Sequence, residues 1–271
     1  MNDAIFEIVT IGNELLIGKT LNTNAQWLAK RITELGGFVK RCTSVRDNIK
    51  EIGAAVNEAI KRGAKWIIIC GGLGSTFDDL TLQGVASAVS RPLVLNRRAV
   101  ALMKRRYSAL KEKGIVRIEK MTPHRLKMAM LPKGSKPLMN PAGMAPGVHL
   151  KFNQVNIICL PGVPSEMQAI FDENVVPLIR LVIGRKYFYD RSLNVTSIVE
   201  SELAPLLNRV MHDNPQVYIK SHPKGVEGSS RIELHLTTSA EMLQVAKNRI
   251  EKAANEISQY IIKSGGKVES I

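Results

Sequence analysis

Five consecutive apolar residues, Trp66-Ile67-Ile68-Ile69-Cys70, run directly into Gly71-Gly72-Leu73-Gly74. A run with no polar alternation fits a strand buried on both faces, and such strands belong to parallel sheets with helices on either side. The flanking sequence keeps the same rhythm. Phe6–Ile11 is a short apolar run rich in β-formers. Asn22–Leu35 carries Trp27, Leu28, Ile32 and Leu35 at helical spacing and stops at Gly36-Gly37. Phe38–Val45 reads as the next strand and Ile49–Arg62 as the next helix, closed by Gly63. The fold class predicted is α/β, a parallel sheet covered on both faces.

Further along, a helix is expected over Asp79–Val89 and a long basic one over Asn96–Lys113, packed through Val100, Met103, Tyr107 and Leu110. Leu131–Gly147 is rich in Pro and Gly and reads as loops and short strands. Val148–Phe152 and Val155–Leu160 make a hairpin around Asn153-Gln154. A turn at Pro161–Pro164 then leads to a helix over Ser165–Val182. Gly184–Asp190 reads as a linker. Beyond it the order becomes strand (Ser192–Ser197), helix (Glu200–His212), strand (Gln216–Ser221), strand (Arg231–Thr238), helix (Glu241–Ile262). That is a small α+β unit, so the domains are 1–183 and 184–271.

Charge is concentrated. Of the net +14 over 271 residues, +12 falls between Arg91 and Lys136, where 14 Lys and Arg face only Glu112 and Glu119. Such a segment attracts anions, or forms a solvated basic face. No apolar run reaches the roughly 18 residues of a membrane span, and the N-terminus lacks the pattern of a secretory signal. Cys42, Cys70 and Cys159 are far apart in sequence with no CxxC pair. Buried thiols in a reducing cytoplasm fit this better than a zinc site or a disulfide framework.

The chemistry-bearing residues cluster at strand ends. After Cys70 come three glycines in four residues, then Ser75, Thr76, Phe77, Asp78 and Asp79. Glycines let backbone N–H groups approach an anion, and in open α/β sheets ligands bind at the carboxyl ends of strands. The aspartates suit a divalent cation bridging phosphate oxygens; a tight turn with Asp78 or Asp79 as helix cap is the alternative. Neither a P-loop nor a dinucleotide fingerprint is present. Gly12-Asn13-Glu14 follows the first strand, Asn22-Thr23-Asn24 opens the first helix with hydrogen-bonding capacity to spare, and Asp47 follows the second strand. The Asn140–Gly147 loop, with Asn140 and Gly143, suits a planar ligand. Gly162 and Pro164 sit at another strand-to-helix junction. The five histidines show no metal-ligand spacing, and Gly225–Gly228 reads as a hairpin loop rather than an RNA clamp.

Taken together, Gly12–Leu16, Asn22-Thr23-Asn24, Asp47, Gly71–Thr81, Asn140–Gly147 and Pro161–Met167 resemble the N-terminal part of the CinA family (competence/damage-inducible protein A) over nearly the whole chain. The resemblance implies a three-layer α/β/α, mostly parallel domain of the molybdenum-cofactor-biosynthesis (molybdopterin-binding) type, followed by a small KH-like α+β domain. Many members add a C-terminal deamidase domain. This chain ends at Ile271, so that activity is not expected. The implied activity is metal-dependent hydrolysis of ADP-ribose-like pyrophosphates, in a cytoplasmic homo-oligomer, dimer or trimer. The implied ligand site comprises Asn13, Asn22, Asn24, Gly71, Gly72, Leu73, Gly74, Ser75, Thr76, Asn140, Gly143, Gly162 and Pro164. Asp47, Asp78 and Asp79 are the expected ligands for Mg2+ or a similar ion, with Asp79, Asp47 and Glu14 as catalytic acids. Asn13 stands where relatives usually carry Asp, and Ser75 where Pro is common.

Two other functions compete with hydrolysis. One is molybdopterin binding or adenylyl transfer in cofactor synthesis. The other is nucleic-acid binding through the basic segment and the second domain, against which stand the 5% aromatic content and the acid within the Gly225–Gly228 loop.

Overall fold

The computed structural model describes residues 4–112, 114, 120–184, 186–224 and 231–270. The chain forms two compact units that divide after Gly184. In the first, β1 (Ile5–Ile11), α1 (Asn13–Leu16), α2 (Thr23–Glu34), β2 (Phe38–Val45), α3 (Ile49–Lys61), β3 (Trp66–Cys70) and α4 (Thr81–Ala88) alternate as expected. Then come β4 (Leu93–Leu95), α5 (Arg97–Glu112), α6 (Pro123–Lys127), β5 (Met130–Pro132), β6 (Lys136–Leu138), β7 (Gly147–Phe152), β8 (Val155–Leu160), α7 (Pro164–Ile170) and α8 (Val176–Ile183). The main sheet has the order β2-β1-β3-β8-β7-β6; the first four strands are parallel, and β7 and β6 add antiparallel pairings.

The layers follow from strand alternation. Val9, Ile11, Ile67, Ile69, Ile157 and Cys159 pack with Ile52 and Val56 of α3, Val85 of α4 and Met103 of α5. Phe6, Ile8, Trp66 and Ile68 occupy the other face, with Leu28 and Ile32 of α2 and Met167, Ile170 and Phe171 buried on that side. Phe6 stacks on Trp66, with ring centroids 5.6 Å apart. Each fully buried Ile or Phe contributes about 1.5–3 kcal/mol, which is why the apolar run at Trp66 organises the sheet.

Several boundaries differ from the sequence reading. α4 begins at Thr81, not Asp79, because the Asp79 carboxylate closes a turn by accepting from the Thr76 N–H at 2.8 Å. The expected helix over Ser165–Val182 is broken by a π-helical turn at Phe171–Val175. Pro177, in the first turn of α8, has no N–H to bond back across it. Cys42 is exposed, unlike Cys70 and Cys159, because β2 is an edge strand.

The second unit runs β9 (Tyr187–Thr196), α9 (Glu200–Asp213), β10 (Tyr218–Pro223), β11 (Arg231–Ala240), α10 (Leu243–Lys263), β12 (Lys267–Ser270). Its antiparallel sheet has the order β10-β11-β9-β12, a split βαβ arrangement. Leu193, Val195, Leu234 and Leu236 pack against Leu203 and Val210 of α9 and Ile250, Ile257 and Ile261 of α10. β9 starts inside the stretch read as a linker and pairs along its length with β11. β12 went unread because Lys267-Val268-Glu269-Ser270 is short and mostly polar. The Gly225–Gly228 loop lies outside the described residues. Among the described residues no helix is long and apolar enough to cross a membrane.

One polar contact sits inside the first unit. Glu7 of β1 is 1% exposed, and Arg62, which follows α3, clamps its carboxylate through Nε and Nη2 at 2.9 and 2.6 Å. Removing one partner of a buried pair leaves the other charge uncompensated. Arg62→Met is therefore expected to cost about 3–5 kcal/mol in guanidinium chloride unfolding, and the double change Glu7→Leu/Arg62→Met to recover most of it. A single-variant loss below about 1 kcal/mol, the scale of a surface pair, would refute this role.

Candidate functional site

β1, β3 and β8 end side by side, and at Gly71 they leave no room for a side chain. A Cβ on Gly71 would lie 2.2 Å from the Ile11 carbonyl oxygen. Gly162, after β8, lies against Gly71 Cα. Gly71 and Gly72 have φ of 111° and 61°, the region that favours glycine. Thr81, fully buried at the start of α4, ties the turn down: its hydroxyl donates to the Gly71 carbonyl at 2.7 Å and its N–H to that of Gly72.

Two clefts, each of about 120 Å3, flank this turn. Glu14, Asn22, Asn24, Gly71, Gly162 and Pro164 line the first. Gly72, Leu73, Gly74, Asp79, Gln83 and Lys127 line the second. Between them, the N–H groups of Gly72, Leu73, Gly74 and Ser75 donate to no partner among the described residues. Leu73 is itself buried, so these donors are held in place and partly shielded, an arrangement that suits an anion.

The polar side chains of the first cleft divide by how much capacity remains. Asn22 caps α2 through Ala25 N–H at 3.1 Å and donates to Thr10 and Ser44 hydroxyls, so most of its capacity is spent on the fold. Asn24 donates to Cys70 Sγ and to the Gly162 carbonyl, while its Oδ1 is buried without a partner among the described residues. It therefore offers an acceptor to a ligand N–H or O–H. The Glu14 carboxylate folds back over Gly12, where a Cβ would fall 2.4 Å from Oε1. Burial raises the Cys70 thiol pKa to about 12, against the opposing effect of the Asn24 hydrogen bond, so Cys70 is a packing group.

The acids do not form the expected metal set. Asp79 accepts from Thr76 N–H and, at 2.6 Å, from its hydroxyl, and it fills the space a Cβ on Gly74 would need. Asp78 also takes the Thr76 hydroxyl, which holds its pKa low. Asp47 accepts from the Asn13 N–H at 2.8 Å. Among the described residues no three His, Cys, Asp or Glu side chains gather as a group able to hold a metal ion. The Asp carboxylates are engaged with backbone N–H and hydroxyl groups instead.

Asn140 and Gly143 line neither cleft but a third cavity. The Asn140 side chain accepts from Ala142 and Gly143 N–H and donates to the Ala145 carbonyl and to Glu166, which fixes its loop. A Cβ on Gly143 would overlap the Glu166 carboxylate, so that glycine is steric in purpose. Three residues went unread as part of the site. Thr81 and Glu166 act by locking loops. Lys127, at the end of α6, donates to the Thr76 carbonyl and lines the second cleft. Its signal was the basic segment, without any hint of which cation returns to the turn.

The family model described as "Probable molybdopterin binding domain" matches residues 7–181. A protein of Aeropyrum pernix is 39% identical over 262 residues, spanning 96% of this chain and 95% of its own. One of Metallosphaera sedula is 36% identical over 269 residues, 98% and 97% of the two chains. The solved structure of CinA from Thermoplasma acidophilum, described as of unknown function, is 36% identical with a TM-score of 0.57, covering 64% of this chain and 98% of that one. The chain belongs to this molybdopterin-binding domain family, and within it to the CinA-like members.

Asp47 gives a testable consequence. Its pKa is raised by burial, opposed by the Asn13 N–H, and raised further by Glu14 and Asp78. The folded state thus holds this proton more tightly than the unfolded chain, so ionisation of Asp47 opposes folding above its pKa and the penalty vanishes as pH falls through it. Asp47→Asn is expected to raise the thermal midpoint at neutral pH, with the difference closing in acid. Equal or lower midpoints at neutral pH would contradict the assignment.

Proposed function

We propose that the strand-end crevice binds the phosphates of a nucleotide- or pterin-linked small molecule and hydrolyses a pyrophosphate such as that of ADP-ribose. The observation that carries this reading is the row of four unpartnered N–H groups from Gly72 to Ser75 beside Lys127. Backbone donors fixed in advance suit a diphosphate, whose charge is spread over several oxygens. Asn24 Oδ1, an acceptor buried in the adjoining cleft, suits the N–H or O–H groups of a base, ribose or pterin ring.

For hydrolysis, a water oxygen bonds to one phosphorus, the bridging P–O bond breaks, and the water proton passes to a carboxylate. Asp47 is the better acceptor for that proton. Burial and its acidic neighbours raise its pKa, whereas the Thr76 hydroxyl lowers that of Asp78. Among the described residues the acids do not gather as a group able to hold a metal ion. The family's description supports a pterin phosphate as an alternative ligand of the same donors, with binding or adenylyl transfer as the outcome.

The test is titration and turnover of ADP-ribose, with and without added Mg2+. Wild type is expected to bind one equivalent and release AMP and ribose phosphate. Asp79→Ala, which frees the turn from Thr76, is expected to lose at least tenfold in affinity, about 1.4 kcal/mol. Asp47→Asn is expected to keep affinity and lose turnover. Equal binding and turnover in wild type and Asp79→Ala would sink the proposal, and AMP transfer to a pterin without hydrolysis would favour the alternative.

A further inference from the structure

The third cavity, about 180 Å3, opens between α5 and the loop carrying Met139 and Met144, and it shares no lining residue with the clefts beside the glycine turn. Its wall is apolar apart from the backbone, the saturated Asn140 and two guanidinium groups, Arg105 and Arg106. No carboxylate is among the residues lining it, and the nearby Glu166 carboxylate sits against Gly143 and accepts from Asn140. Arg106 Nε is buried and has no hydrogen-bond partner among the described residues. A buried donor left without an acceptor is costly, and more so on a charged group, so an anion that reaches the Arg106 guanidinium is favoured.

The rest of the lining narrows the choice. Met103, Met139 and Met144 present thioethers to one space, and these polarizable side chains adapt to aromatic rings. Guanidinium groups pair with carboxylates and phosphates through parallel N–H donors. Arg105 and Arg106 belong to the Arg91–Lys136 segment, whose net +12 adds attraction for anions. We propose that this cavity is a second ligand site, for a small aromatic anion, with the ring against the methionines and the anionic group on Arg106 and Arg105. The site is independent of the phosphate crevice and extends what the first unit can sense or bind.

The methionines provide the readout. With the ten methionine methyls labelled with carbon-13 and assigned by single Met→Leu changes, 2-naphthoate is expected to shift Met103, Met139 and Met144 saturably. Met128 and Met130, which line the cleft beside the glycine turn, are expected to stay still. Arg106→Leu is expected to raise the dissociation constant at least tenfold, and Ala109→Phe to abolish binding by filling the cavity. Circular dichroism checks that both variants fold, and either one suffices for the test. Phenyl phosphate in place of 2-naphthoate decides between a carboxylate and a phosphate ligand. Unchanged affinity in Arg106→Leu, or undiminished binding in Ala109→Phe, overturns the proposal. Shifts confined to Met128 and Met130 also overturn it, while supporting an anion at the glycine turn.

Discussion

The absence of room at Gly71 governs the first unit. Ile11, Gly71 and Gly162 end three neighbouring strands so closely that a single methyl group would collide with a main-chain carbonyl. With side chains excluded, the backbone itself lines the crevice. Gly72 to Ser75 can then present N–H groups, and Thr81 can reach back to anchor the Gly71 and Gly72 carbonyls. The buried strands supply the rigidity that this closeness requires. Cys70, Leu160 and Ile11 are all nearly or fully buried, so the strand ends cannot spread to relieve a clash.

The acids around this turn act at two levels. Asp79, Asp78 and Thr76 form a local knot, in which one hydroxyl proton serves two carboxylates. Asp47 instead takes the Asn13 N–H, and Glu14 folds back over Gly12. This division explains why a dense acidic sequence need not assemble a metal centre. The same division separates Asn22, spent on capping, from Asn24, whose oxygen is left over.

The sheet was legible because burial on both faces leaves an unmistakable apolar run, as at Trp66–Cys70, and because hairpins such as Phe152–Val155 carry their turn residues openly. The first half of the long β9 was not, since Tyr187–Arg191 is mostly exposed or half-buried and carries Asp190 and Arg191. For the site, residue types at strand ends were readable, and the structure brings Glu14, Asn22, Asn24, Gly71, Gly162 and Pro164 to one cleft. What each group had left to offer was not readable. Hydrogen-bond satisfaction depends on partners far along the chain, such as Glu7 with Arg62 or Thr76 with Lys127, and no local pattern encodes them.

The cysteines carry a practical consequence. Burial lifts the thiols of Cys70 and Cys159 to about 12, which keeps them protonated and shielded from electrophiles. Cys42 alone is exposed, on the open edge of the sheet. The native chain thus carries a single attachment point for a dye or spin label without any engineering, and modification of a second thiol would report the opening of the core.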